Sequence, residues 1–181
     1  NNISVNNNHL CAEDLYDLFD EQVSNWKRLL FELNFTCLKD KVSSFFQKRS
    51  IPERYSSQAI FYHLLLLIRS NENIDNAKQL IAGHYLTEVI WFNDFYQNTS
   101  NISYIEFIQY IDEVKVFILD RLFGLHNWDC IIDLYEQSDG CDGNFYKCFT
   151  LFYGLSLFNV GRFKESYECL NRLYEEWNKD N

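Results

Sequence analysis

The chain has 181 residues and a formal net charge of −10, from 26 acidic and 16 basic side chains. This length allows one compact domain or a short stack of helical repeats, and the acidic balance argues against nucleic acid as the main partner. Hydrophobic residues make up 47% of the chain and aromatic residues 18%, which excludes disorder over most of it, while one proline and six glycines favour helices over a turn-rich sheet.

The chain opens with the polar stretch NNISVNNN and contains no methionine. These features indicate a processed product or a fragment of a longer protein. We predict residues 1–10 to be a disordered leader and residues 11–56 to be an N-terminal helical cap.

Apolar residues recur at helical spacing along almost the whole chain, and no segment sustains the alternation that is typical of a strand. We therefore predict an all-α protein. The roughly nine predicted helices cover residues 12–31, 38–48, 57–69, 75–83, 86–97, 103–123, 128–137, 145–160 and 162–177. Ser103 followed by Glu106 has the spacing of a capping box, which would fix the start of the sixth helix.

Membrane and metal sites are not expected. The longest apolar runs, residues 59–68 and 148–160, are shorter than the roughly 20 residues that cross a bilayer. The six cysteines include no Cys-x-x-Cys pair, and no histidine stands at ligand spacing, which argues against a zinc site. No signal peptide is visible, so we expect reduced thiols and an intracellular protein, cytoplasmic or nuclear.

The segment LFYGLSLFNVGRFKESYECL, residues 151–170, carries two of the six glycines in an apolar stretch. A glycine inside a helix costs about 1 kcal/mol relative to alanine, so Gly154 is predicted to allow close approach by a neighbouring helix. Gly161 lies where the apolar pattern stops and an amphipathic one begins, and it is predicted to end the helix with a positive φ. The segment therefore predicts a helix, a tight turn and a second antiparallel helix.

This hairpin carries a pattern of small, aromatic and large apolar residues at fixed positions. The positions are Gly154, Leu157, Gly161, Phe163, Ser166 and Leu170. The pattern resembles the tetratricopeptide repeat, with departures at Thr150, Tyr153 and Asn178. One unit earlier, Trp128 precedes Phe163 by 35 residues, close to the family's period of about 34. A weaker echo covers residues 57–83, and residues 85–104 interrupt the register.

The resemblance implies antiparallel helix pairs stacked as a short tetratricopeptide-like solenoid over residues 57–181, with an insertion near 85–104 and a concave groove lined by the first helices. It implies partner contacts at Glu113, Val116, Asp120, Phe123, Cys148, Leu151, Leu155, Phe158 and Asn159. This acidic and apolar set predicts a hydrophobic partner segment with basic residues, either a peptide or a helix of another subunit. For Phe158 and Leu151 the stronger interpretation is a core position, since their helix is apolar all round. For Asp120, which stands beside Arg121, the alternative is a side chain that faces solvent and binds no partner.

We therefore expect a non-enzymatic interaction scaffold or adaptor, a subunit or N-terminal domain of a larger complex. The last predicted helix carries Phe163, Tyr167, Tyr174 and Trp177, which indicates further helices or a partner packed beyond it. The four histidines lie in different segments and no phosphate-binding loop occurs, so no catalytic residue and no cofactor is expected.

Two other interpretations remain open. One is a regulatory helical module that contacts nucleic acid or an acidic partner through the basic stretch 39–54. The other is self-association through exposed aromatic residues. Binding that falls steeply with salt would favour the first of these.

Overall fold

Nine α-helices make up the described part of the chain, which in the computed structural model comprises residues 12–47, 53–72, 85–139 and 143–179. In chain order they are α1 (Ala12–Phe31), α2 (Phe35–Phe46), α3 (Glu53–Arg69), α4 (Tyr85–Asn98), α5 (Tyr104–Phe107), α6 (Asp112–Gly124), α7 (Trp128–Glu136), α8 (Asn144–Asn159) and α9 (Phe163–Lys179). No strand occurs within these four ranges, and the all-α prediction is confirmed.

Most predicted helices agree with the observed ones to within a few residues, but the helix predicted for 103–123 is divided. The capping box of Ser103 and Glu106 is present, yet α5 ends at Phe107 and the chain is extended at Ile111 before α6 begins. The division lets the buried Phe107 ring pack against Phe149 of α8, with ring centroids 5.5 Å apart. The helix predicted for residues 75–83 lies outside the described residues. The nine described helices therefore differ from the nine predicted ones, since one predicted helix is not described and another is divided in two.

Four helices end in the same hydrogen-bonded turn. The residue with left-handed φ is Leu33 after α1, Asn71 after α3, His126 after α6 and Gly161 after α8. The amide of the next residue donates to the carbonyl five positions earlier, in the pairs Asn34 to Leu29, Glu72 to Leu67, Asn127 to Leu122 and Arg162 to Leu157. These bonds are those of the Schellman motif. Three of the turns fold a helix back on its neighbour and form the hairpins α1–α2, α6–α7 and α8–α9.

In two hairpins the turn also starts the second helix. The Oδ1 atoms of Asn34 and Asn127 accept hydrogen bonds from the amides of Cys37 and Cys130 at 3.3 and 3.4 Å. The stretches that begin at these asparagines, NFTCL and NWDCI, are similar in sequence. This N-cap starts α2 at Phe35, three residues before the predicted position.

Helices α1 and α8 hold the hairpins together. Helix α1 packs against α2, α3, α6 and α8, and α8 packs against α1, α6, α7 and α9. One continuous core extends from Trp26 of α1 to Phe152 of α8, and the Phe31 and Phe145 rings meet across α1 and α8 at 6.4 Å. Residues from the predicted N-terminal cap therefore share the core of the later hairpins.

The predicted domain limits are only partly covered by the described residues. The boundary between residues 56 and 57 falls inside α3 (Glu53–Arg69), and the predicted leader, residues 1–10, lies outside the described part. None of the described helices has the length and apolar character to span a membrane.

Candidate functional site

The predicted groove residues at the start of α6 lie against other helices of the same chain. Val116 is 0% exposed. Glu113 Oε1 lies 3.4 Å from Nζ of Lys27 on α1, and Tyr62 of α3 lies beside the same carboxylate. Burial, with this carboxylate beside it, raises the pKa of Tyr62 well above its usual value, so its hydroxyl remains a donor. Helices α1 and α3 thus cover this end of the predicted groove.

Asp120 on α6 is held by an arginine of another helix. It accepts hydrogen bonds from Nε and Nη2 of Arg69 on α3 at 2.9 and 3.4 Å. The same guanidinium lies 3.8 Å from the centroid of the Phe35 ring on α2. Burial, together with the Asp120 carboxylate, raises the pKa of Tyr96 on α4 to about 12. The charge of Asp120 is therefore compensated within the protein, between three other helices.

The predicted groove residues of α8 divide into a covered and an accessible group. Cys148 is 1% exposed, and burial raises the pKa of its thiol to about 12. Leu151 and Leu155 are half-buried, whereas Asn159 and Phe158 are exposed, Phe158 to 58%. The core position favoured for Phe158 is therefore not observed. On α6, Phe123 is half-buried between the rings of Trp128 and Phe152.

The two glycines behave as the sequence predicts. A Cβ placed on Gly154 would lie 2.5 Å from Leu170 Cδ2 of α9, and Ser166 Oγ donates to the Gly154 carbonyl at 2.7 Å. Gly161 has φ 86° in the turn. Leu157 is fully buried, and Trp128 stacks on His126. Gly154 therefore permits the close contact of α8 with α9, and Gly161 permits the turn between them.

A continuous apolar surface lies on the outside of the α8–α9 hairpin. Phe163, Tyr167 and Tyr174 of α9 are 60%, 71% and 63% exposed, and Leu170 lies between them at helical spacing. The Phe163 ring meets the Phe158 ring of α8 at 5.3 Å. We call the following residues the outer face: Leu151, Leu155, Phe158, Phe163, Tyr167, Leu170 and Tyr174. Among the described helices, α9 packs chiefly against α8.

A cleft of about 390 Å³ opens between α7, α8 and α9. The ring of Tyr135 is stacked between Tyr153 at 4.0 Å and Tyr146 at 5.8 Å. Carboxylates of α9, including Glu168, line the cleft, and Cys169 also borders it. Burial raises the pKa of the Cys169 thiol, so it is protonated at neutral pH and is not an activated nucleophile. In the described ranges no three His, Cys, Asp or Glu side chains are grouped to hold a metal ion.

The basic stretch 39–54 is only partly described. Lys39 forms an ion pair with Glu72 at the end of α3, and Lys41 is exposed on α2. Lys48 and Arg49 of the stretch lie outside the described residues. The alternative role in binding nucleic acid or an acidic partner therefore stays a prediction.

Comparison with known proteins identifies no relative. The chain matches no protein-family model, and neither a curated protein nor a solved structure matches it significantly.

Proposed function

We propose that the protein is a non-enzymatic scaffold that binds another protein through the outer face, as a subunit or N-terminal domain of a larger assembly. The observation that carries the proposal is the exposure of Phe158, Phe163, Tyr167 and Tyr174 on one continuous surface. Exposed apolar patches of this kind mark interaction sites, and aromatic residues are enriched in protein interfaces.

The repeated hairpins support a tetratricopeptide-like solenoid as the framework of this scaffold. The turns at His126 and Gly161 are 35 residues apart in the sequence and have the same pattern of hydrogen bonds. Helix α8 packs on both helices of the preceding hairpin, α6 and α7. Stacking of similar hairpins by contacts between neighbours is the principle of solenoid proteins.

The proposed binding surface keeps only part of the predicted groove. Leu151, Leu155 and Phe158 belong to the outer face, and Asn159, which follows Phe158, is also exposed. The groove residues on α6, together with Cys148 on α8, contact other helices of the chain instead. The partner surface thus lies on the side of α8 that continues onto α9.

The test uses two matched double variants. Tyr167→Ser with Tyr174→Ser removes two exposed rings from the outer face, whereas Ile105→Ser with Ile108→Ser removes two exposed aliphatic side chains near α5. Neither pair belongs to the buried core, so both variants are expected to fold, which circular dichroism checks.

Proteins captured from the source extract by the wild-type chain are identified, purified and titrated against all three chains. We expect one partner whose affinity falls at least about tenfold with the outer-face variant, equivalent to about 1.4 kcal/mol, and is unchanged with the α5 variant. Equal affinity for all three chains would refute the proposal.

A further inference from the structure

The α6–α7 hairpin shows how a surface equivalent to the outer face is covered in this protein. The two hairpins are aligned at the left-handed residues His126 and Gly161, which occupy the same position in their turns. The alignment pairs Phe123 with Phe158, Trp128 with Phe163, Ile132 with Tyr167 and Tyr135 with Leu170. Aromatic or large apolar residues thus recur at equivalent places on both hairpins.

On the α6–α7 hairpin two of these residues, Phe123 and Tyr135, contact a helix of the same chain, α8. The Phe152 ring of α8 meets Phe123 with centroids 5.6 Å apart. One turn earlier on α8, Phe149 meets Tyr135 at 5.0 Å. Helix α8 thus spans both helices of the hairpin and places aromatic side chains on each.

The α8–α9 hairpin has no such cover among the described residues. Ile132 of α7 is 4% exposed, whereas its equivalent on α9, Tyr167, is 71% exposed. Exposure also differs at another pair of equivalent positions, since Phe123 is half-buried and Phe158 is exposed. A single helix with the apolar side chains of α8 would cover Phe158 and Leu170 in the way that α8 covers Phe123 and Tyr135.

We infer that the outer face binds an α-helix of a different protein, seated on α8 and α9 as α8 is seated on α6 and α7. The inference rests on the proposed function and specifies its partner. The bound helix carries aromatic or large aliphatic side chains at positions i, i+4 and i+7, the spacing of Phe145, Phe149 and Phe152 in α8.

Charge specifies the partner further. Glu168 and Glu175 follow Tyr167 and Tyr174 directly on α9 and are exposed, while Lys164, within 4.0 Å of Glu168, offsets part of this charge. The whole chain carries a net charge of −10. Electrostatic complementarity therefore favours lysine and arginine beside the apolar stripe of the partner helix, and it opposes a second copy of this chain.

The test uses three synthetic peptides of 16 residues, the length of α8. The first has phenylalanine at the spacing of Phe145, Phe149 and Phe152 and lysine at its outward positions. The second has glutamate in place of the lysines, and the third has serine in place of the phenylalanines. Fluorescence anisotropy measures their binding to the 181-residue chain, and circular dichroism measures helix formation on mixing.

We expect saturable binding of the lysine peptide with a gain of helix. Affinity is expected to fall at least about tenfold for each of the other two peptides, and for the lysine peptide with the Tyr167→Ser, Tyr174→Ser variant. The Ile105→Ser, Ile108→Ser variant is expected to bind like the wild type.

Binding without helix formation, or binding equal for the lysine and glutamate peptides, would overturn the inference. Sedimentation equilibrium supplies a separate readout, since a dimer that the outer-face variant abolishes would assign the surface to a second copy and also overturn it. If the purified natural partner nevertheless requires Tyr167 and Tyr174, the proposed function stands and only the helical, basic nature of the partner segment is wrong. If that partner is indifferent to both residues, the proposed function fails as well.

Discussion

Leu170 of α9 lies directly over Gly154 of α8, and a Cβ on Gly154 would stand 2.5 Å from Leu170 Cδ2 and 2.7 Å from Cγ. These separations are far below van der Waals contact, so no side chain fits at position 154 unless Leu170 moves. A glycine inside a helix costs about 1 kcal/mol, and here the contact between α8 and α9 offsets that cost.

Replacing Gly154 by alanine is therefore expected to destabilise the protein. Overpacking a well-filled contact costs typically about 1–3 kcal/mol, against a gain of about 1 kcal/mol in helix propensity. We expect a net loss of about 1 kcal/mol in the free energy of unfolding, measured by urea denaturation.

The matched control repeats the Gly154→Ala change in a Leu170→Ala background. With the obstructing side chain removed, the alanine should stabilise by up to about 1 kcal/mol. A destabilisation of the same size in both backgrounds would show that Leu170 is not the cause.

The ion pair of Asp120 with Arg69 is expected to contribute to stability. Asp120→Asn keeps the shape of the side chain but leaves the half-buried guanidinium without its counter-charge. We expect a loss of about 1–2 kcal/mol in the free energy of unfolding, above the median for exposed pairs because both partners are partly buried. In an Arg69→Gln background the same change should cost much less. Equal costs in the two backgrounds would contradict a direct coupling.

The turns at Gly161 and His126 predict opposite changes in stability: removing the glycine at 161 should destabilise the protein, and introducing a glycine at 126 should stabilise it. Gly161 has φ 86°, so Gly161→Ala is expected to cost about 1–2 kcal/mol. His126 holds the equivalent position at φ 59°, and His126→Gly should relieve the strain of the left-handed conformation. Its stacking on Trp128 is lost at the same time, so the gain is expected to stay below about 1 kcal/mol. Thermal unfolding of both variants gives the comparison, and a neutral Gly161→Ala would be inconsistent with the turn.

Local patterns predicted most helices and the α8–α9 hairpin, because these features depend on residues that are close together in the sequence. Apolar spacing and the capping box at Ser103 are read within a few positions, and the glycine at 161 marks a turn by itself. The division of the sixth predicted helix was missed, because it depends on a distant contact between Phe107 and Phe149. The similarity of NFTCL and NWDCI was a local signal that would have placed the start of α2 correctly.

The candidate site was predicted less well because helical spacing does not say which neighbour covers a face. Asp120 stands beside Arg121 in the sequence but pairs with Arg69, 51 residues away. Helix α1 covers the start of α6, a contact that no local pattern encodes. The aromatic residues of the last helix, by contrast, indicated further helices or a partner packed beyond it, and Phe163, Tyr167 and Tyr174 are exposed there.

Stability is expected to depend on pH through His63 of α3. The imidazole packs 4.6 Å from the Phe46 ring, and burial lowers its pKa below the ordinary value of 6.5, with Lys39 acting in the same direction and Glu72 against it. As the pH falls below 6.5, the unfolded chain binds a proton that the folded chain resists. The folded state therefore loses stability until the pH drops below the pKa of the folded form, and it regains stability as the pH rises through the same window.

His63→Gln removes this contribution and serves as the comparison, since all other titrating groups remain. The urea midpoint is measured at about pH 7.5 and at about pH 5, and its decrease between the two should be larger for the wild type than for the variant. If His63→Gln leaves the change in midpoint as large as before, His63 takes up its proton equally in the folded and unfolded states, and its burial does not govern the titration.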